Sequence, residues 1–169
     1  MTEIQRYQVI SKQNGFEIRS YEPFITVSVS EPGSLAGSGN KAFRQLANYI
    51  FGGNRQGQQI AMTAPVGIES NAGKWVVSFV MPAEYTMETI PKPLNSQVQL
   101  RQIPAVKKAV ISFSGFYNDQ KVAEKTLELE QWMKTKNLQS AGTPNFARYN
   151  PPWTLPFMRR NEVMINLRD

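Results

Sequence analysis

Apolar positions along this chain follow two periods, two and 3.6, in an order that occurs twice. In residues 16–29, Phe16 and Ile18 alternate with charged neighbours. The pattern breaks at Glu22-Pro23, and Ile25, Val27 and Val29 then alternate with Thr26 and Ser28. This predicts two short strands joined as a hairpin with one wet face. A Pro/Gly/Ser-rich loop over 31–39 leads to a helix predicted from Asn40, as its cap, to Phe51, with Phe43, Leu46, Ala47 and Ile50 on one face. Gly52-Gly53 ends it. Residues 60–68 and 75–81 read as strands joined by the turn 70–73, the second apolar on both faces and therefore central.

Residues 82–95 carry three prolines and read as a crossing linker. The order then repeats. Strands are predicted near 98–103 and 107–114, a helix from Asn118 or Asp119 to Lys136, and strands near 146–149 and 162–167. On the second helix Val122, Leu129, Trp132 and Met133 share a face, while Lys121, Glu124 and Glu128 turn away. One offset, the distance from Ile60 to Phe146, also carries Ile25 to Ile111, Val27 to Phe113, Leu46 to Trp132, Pro65 to Pro151 and Phe79 to Ile165. Only the first strand needs a gap. The expectation is a single domain over residues 1–169 with pseudo-repeat halves at about 7–81 and 98–167. Its fold class is α+β: duplicated ββαββ-like halves forming a distorted antiparallel β-barrel, with two amphipathic helices on the outside.

Composition removes much chemistry. With 169 residues and neither Cys nor His, the chain has no disulfide, thiol nucleophile, Cys/His zinc site, Ser-His-Asp triad or histidine ligand for haem iron. Lys+Arg exceed Asp+Glu by 19 to 13, a charge of +6 that favours anionic partners. The basic residues are scattered without an aromatic-basic stripe, so nucleic acid is not expected. There is no signal-like start and no apolar run long enough to span a bilayer, so a cytoplasmic protein is expected.

Three segments could carry function. The apolar run 60–66 contains Met62, Thr63 and Pro65 and serves either as a flat wall or as a strand kink. In residues 149–163, three prolines stiffen a loop presenting Trp153, Phe157 and Met158, followed by Arg159 and Arg160. Such a loop suits a planar ligand bearing carboxylates, and equally a structural pairing of the arginines with Glu162. On the first helix Lys41, Gln45 and Tyr49 form an i, i+4, i+8 stripe that is either a ligand edge or a solvated flank. Carboxylate catalysis has little support, with Glu22 and Glu162 the acids worth testing.

The run IAMTAPV at 60–66, Gly115-Phe116-Tyr117, and YNPPWTLPFMRRNEV at 149–163 together resemble the SOUL/haem-binding protein family over nearly the whole chain. The resemblance implies a duplicated α+β barrel similar to GyrI-like effector-binding domains, and reversible binding of haem or another tetrapyrrole. It places the ligand in an apolar cleft flanked by the first helix, with basic groups near its propionates. Lys41 matches one such position. Tyr49 stands where some members have a second basic residue, and Thr154 or Leu155 falls near where others have a lysine.

The leading expectation is therefore a non-enzymatic, monomeric haem or tetrapyrrole carrier or buffer without histidine ligation. Its candidate carboxylate partners are Lys41, Arg159 and Arg160. Its candidate walls are Phe43, Leu46, Ala47, Ile50, Met62, Trp153, Phe157 and Met158, with Gln45 and Tyr49 at the edge. The alternatives are a GyrI-like hydrolase acting on planar electrophiles with Glu22 or Glu162 as acid/base, and a protein-interaction module.

Overall fold

Two amphipathic α-helices, a short 3-10 helix at Pro156–Met158 and eleven strands make up the described fold, which is α+β, in a computed structural model describing residues 2–33, 35–151 and 153–169. The strands are β1 Glu3–Ile4, β2 Gln8–Gln13, β3 Phe16–Tyr21, β4 Phe24–Pro32, β5 Thr63–Ala64, β6 Val66–Asn71, β7 Lys74–Val80, β8 Gln99–Ile103, β9 Val106–Phe113, β10 Asn145–Arg148 and β11 Asn161–Asn166. The helices are α1 Leu35–Ile50 and α2 Asp119–Thr135. The chain divides into two units, Met1–Gln5 with Pro23–Pro104, and Arg6–Glu22 with Ala105–Asp169.

In the first unit β6, β7, β4 and β8 lie side by side, all antiparallel. Strand β7 is central to this set, as its apolar residues on both faces require. Val77 and Phe79 are buried on it, and Val27 and Val29 beside them on β4. Helix α1 packs on this sheet, burying Ala42, Leu46 and Ile50, with Phe43 edge-on to Phe79 at 5.3 Å between ring centroids. The helix begins at Leu35 rather than Asn40. Gly37 and Gly39 suggested a loop because glycine is a poor helix former, a local preference that tertiary context overrides.

The expected single strand over 60–68 is interrupted. Thr63–Ala64 pairs in parallel with Glu3–Ile4, a cis bond joins Ala64 to Pro65, and the longer strand starts at Val66. A proline has no N–H to give a ladder, which is why pairing changes partner there.

In the second unit the order is β2, β3, β9, β11, β10, again antiparallel. Helix α2 is capped by Asn118, whose side chain accepts from the Lys121 N–H at 2.7 Å. It buries Leu129 and Met133, and its Trp132 stacks on Phe16 at 5.0 Å.

The hairpin expected from residues 16–29 does not form. Strand β3 pairs with β2 and β9, whereas β4 pairs with β7 and β8. The turn at Glu22-Pro23 passes the chain from one unit to the other. Val27 lies opposite Phe79 and Leu100, and Ala109 lies opposite Ile165 and Ile18. The two units share a strand order, β6-β7-β4-β8 in the first and β10-β11-β9-β3 in the second.

Candidate functional site

Period-two alternation sends Glu17, Arg19 and Tyr21 of β3, Lys108, Val110 and Ser112 of β9, and Glu162 and Met164 of β11 to one face of the second unit's sheet. Phe16, Ile111 and Phe146 point to the α2 side. On the first face Arg19 and Glu162 are fully buried and 143 residues apart in sequence. Their contact is bidentate: Arg19 Nη1 donates to Glu162 Oε1 at 2.8 Å and Nη2 to Oε2 at 2.5 Å. Arg19 Nε donates to Glu17 at 2.6 Å, Nη1 also reaches the Tyr21 hydroxyl at 3.2 Å, and the guanidinium lies 4.0 Å from the centroid of the Tyr7 ring.

Glu162 also accepts from Ser112 Oγ at 2.9 Å, from Arg160 Nε at 3.2 Å and from the Tyr149 side chain. A carboxylate offers about four lone-pair directions, so these donors saturate it. Burial acts to raise its pKa, but the hydrogen bonds and charge of Arg19, with Tyr149 and Arg160, outweigh it and hold the carboxyl below the ordinary value of 4.5. Burial pushes the Tyr21 phenol up to about 12 and raises that of Tyr149. Arg160 is half-buried, 3.9 Å over the Tyr149 ring, with Nη2 donating to the Tyr7 hydroxyl at 2.7 Å.

The arginines after the proline loop therefore differ. Arg160 joins this network, as the structural reading of its spacing from Glu162 anticipated. Arg159 instead lies over the Phe116 ring at 5.3 Å and donates from Nε to the Thr154 carbonyl at 2.8 Å. In the same loop Trp153 is 82% exposed, Phe157 75% and Met158 62%. Pro152 lies outside the described residues.

In the first unit the Lys41, Gln45, Tyr49 stripe divides. Lys41 is exposed, with Nζ 3.7 Å from Glu31. Gln45 donates to Glu31 at 2.6 Å and accepts from Asn95 at 3.1 Å. Tyr49 is buried with Leu46 and Ile50, and its hydroxyl donates to the Pro91 carbonyl at 2.6 Å. Burial pushes that phenol up to about 12. As placed, these three apolar residues belong to the core of the first unit, while Phe43 is partly exposed and Ala47 and Met62 half-buried. Replacing Tyr49 with Phe would leave the Pro91 carbonyl without its donor, with an expected loss of about 1–3 kcal/mol in urea unfolding.

Sequence reasoning missed Tyr7, Arg19, Tyr21 and Tyr149. The available signal was Arg19 on a strand whose alternation points it to the same face as buried Tyr21. Among the described residues no group of acidic side chains is arranged to hold a metal ion, and no helix is long and apolar enough to cross a membrane.

Structures sharing this fold include the C-terminal domain of EcmrR (TM-score 0.67, 13% identity, 96% of this chain and 98% of that one). A hydrolase from Listeria innocua is similar to the same degree (TM-score 0.67, 14% identity, 94% of each chain). At such identities the likeness concerns the fold. In sequence the chain is 31% identical over 159 residues to human heme-binding protein 2, covering 89% of this chain and 77% of that protein. Residues 2–166 match the family described as SOUL heme-binding protein, and with that relative at this coverage the chain belongs to the SOUL heme-binding family.

Proposed function

We propose that this protein binds haem or a related tetrapyrrole reversibly, as a carrier or buffer, through apolar contact and charge pairing and not through an imidazole. Family membership supports haem as the ligand class. The sequence contains no histidine, so the hold on the ring falls to apolar contact and cations, or to weak ligation through Tyr49, Met62 or Met158. The observation that carries the reading is the 153–158 loop. Trp153, Phe157 and Met158 are exposed beside Arg159, whose guanidinium is fixed by the Thr154 carbonyl and the Phe116 ring. Lys41 and Phe43 of α1 are the exposed candidates of the first unit.

Reading Glu162 as a hydrolytic acid or base has less support, because its lone pairs are occupied and it is held ionised. A binding role, with the network as scaffold, needs no free carboxylate.

Titration with haemin, following the Soret band, is expected to saturate with Kd below ~100 μM. Losing the contact area of Trp153 and Phe157 in Trp153→Ala/Phe157→Ala is expected to weaken binding about tenfold or more. Absence of saturation in the parent chain would refute the proposal.

A further inference from the structure

Five large apolar side chains stand out from one small region of the second unit. Phe116 is 69% exposed and Leu155 55%, and they join Trp153, Phe157 and Met158. Two loops carry them and are bonded together. The Gly115 N–H donates to the Pro156 carbonyl at 2.8 Å, and Asn161 Nδ2 donates to the Gly115 carbonyl at 3.1 Å. Within the second loop the N–H groups of Thr154, Met158 and Arg159 donate to the carbonyls of Pro151, Leu155 and Pro156 at 2.9–3.1 Å. Pro156 has no N–H to satisfy. The tip thus exposes apolar side chains while much of its backbone is bonded internally. That combination lowers the cost of leaving water for an apolar medium, where unpaired backbone groups are expensive.

Charge points to the kind of apolar medium. The segments forming this unit, 6–22 and 105–169, hold thirteen Lys/Arg against eight Asp/Glu, so five of the chain's six excess positive charges lie here. Between Asn145 and Asn161 there are three arginines and no acid; Arg160 is paired with Glu162 just beyond, which leaves Arg148 and Arg159 as the cations of this stretch without an acid beside them in sequence. Arg159 sits within the tip itself, against Phe116. Aromatic rings with cations at the level of the headgroups are the arrangement that favours a water–lipid boundary, and excess positive charge favours anionic lipid.

We infer that the 115–117 and 153–159 loops form a peripheral docking tip for an anionic phospholipid bilayer. Trp153, Phe157 and Phe116 enter the headgroup boundary and Arg159 meets lipid phosphate. The inference does not require tetrapyrrole binding, although the two share Trp153, Phe157 and Met158.

The test uses the full chain without haem. It is mixed with extruded vesicles of phosphatidylcholine alone or with about 30% phosphatidylglycerol, at low and high salt, and followed by co-sedimentation and by quenching of tryptophan with brominated lipid. Sedimentation with the anionic vesicles at low salt is expected, with quenching that marks insertion. Trp153→Ser/Phe157→Ser, altering two exposed side chains, is expected to lower partitioning at least about tenfold with unchanged far-UV circular dichroism. Trp153→Phe, which keeps an aromatic ring, is expected to retain most of it.

Three outcomes would overturn the inference. One is no association with anionic vesicles at low salt, and another is equal partitioning by the double variant. The third is a concentration-dependent dimer abolished by the double variant, which would make a second copy the occupant. Vesicle binding without a haemin response, or the reverse, tells failure of this inference apart from failure of the tetrapyrrole proposal.

Discussion

Arg19→Met with Glu162 retained is expected to destabilise the protein by roughly 3–5 kcal/mol, the cost of leaving a buried carboxylate without its partner. The native carboxylate takes two guanidinium hydrogen bonds at 2.8 and 2.5 Å, and both side chains are excluded from water. With Arg19 gone, Arg160, Ser112 and Tyr149 remain, but the first is already shared with Tyr7. The double variant Arg19→Met/Glu162→Leu removes both charges and is expected to recover most of the loss, since apolar replacements of a buried pair are often near neutral. Urea midpoints of the two variants decide this. A double variant as unstable as the single one would show that packing and the other donors to Glu162, Ser112, Tyr149 and Arg160, matter more than the charge of the pair.

The same pair sets an acid dependence. The Glu162 pKa is lower in the folded chain than its ordinary 4.5, so ionisation of Glu162 stabilises the fold above that value. The contribution is lost as pH falls through the folded value. Arg19 stays protonated throughout, its own pKa raised chiefly by Glu162 against the opposing effect of burial. The parent chain is therefore expected to lose stability below pH 4.5 more steeply than the double variant in pH-resolved unfolding.

Leu129→Ala is expected to cost about 2–5 kcal/mol, from lost transfer energy and the cavity left behind. Only Leu129 and Met133 are buried on the 17 residues of α2, so half of its fully buried anchoring is removed in one step. A helix of this length is marginal in water and relies on such packing. Leu127→Ala, two residues away and 57% exposed, is expected to change stability by less than about 0.5 kcal/mol. Denaturant unfolding of both measures the contrast.

Where an element alternates against a wet face, the chain could be read directly. Strand β4 shows this: Ile25, Val27 and Val29 are buried and Thr26 and Ser28 between them less so, because a pleated strand gives each parity one environment. Asn118 marked the start of α2 correctly because an Asn side chain satisfies an N–H left open at a helix start. Strand β2 escaped because all six of its residues are exposed and no alternation marks it. Strand β1, two residues long, has no pattern to show.

The candidate site was legible to different depths. The proline loop with Trp153, Phe157 and Met158 stood out by composition, and those three side chains are exposed. The border stripe on α1 did not survive as a unit. Helical spacing says which residues are neighbours, not that Pro91, 42 residues on, would bring a carbonyl to the Tyr49 hydroxyl.

Local pattern alone carried the α+β class, the central place of β7 and the two helices, though not the whole buried face of α1, where Phe43 is exposed and Tyr49 buried. Each follows from how a short stretch of backbone sorts its side chains between oil and water, a property that a stretch possesses before it meets the rest of the chain. Strand partnership and the Arg19–Glu162 contact are long-range. Strand β3 passes over its sequence neighbour β4 to pair with β9, and the ion pair joins residues 143 apart. Neither carries a local signature, because alternation names the face a residue will take but not the strand that will lie beside it.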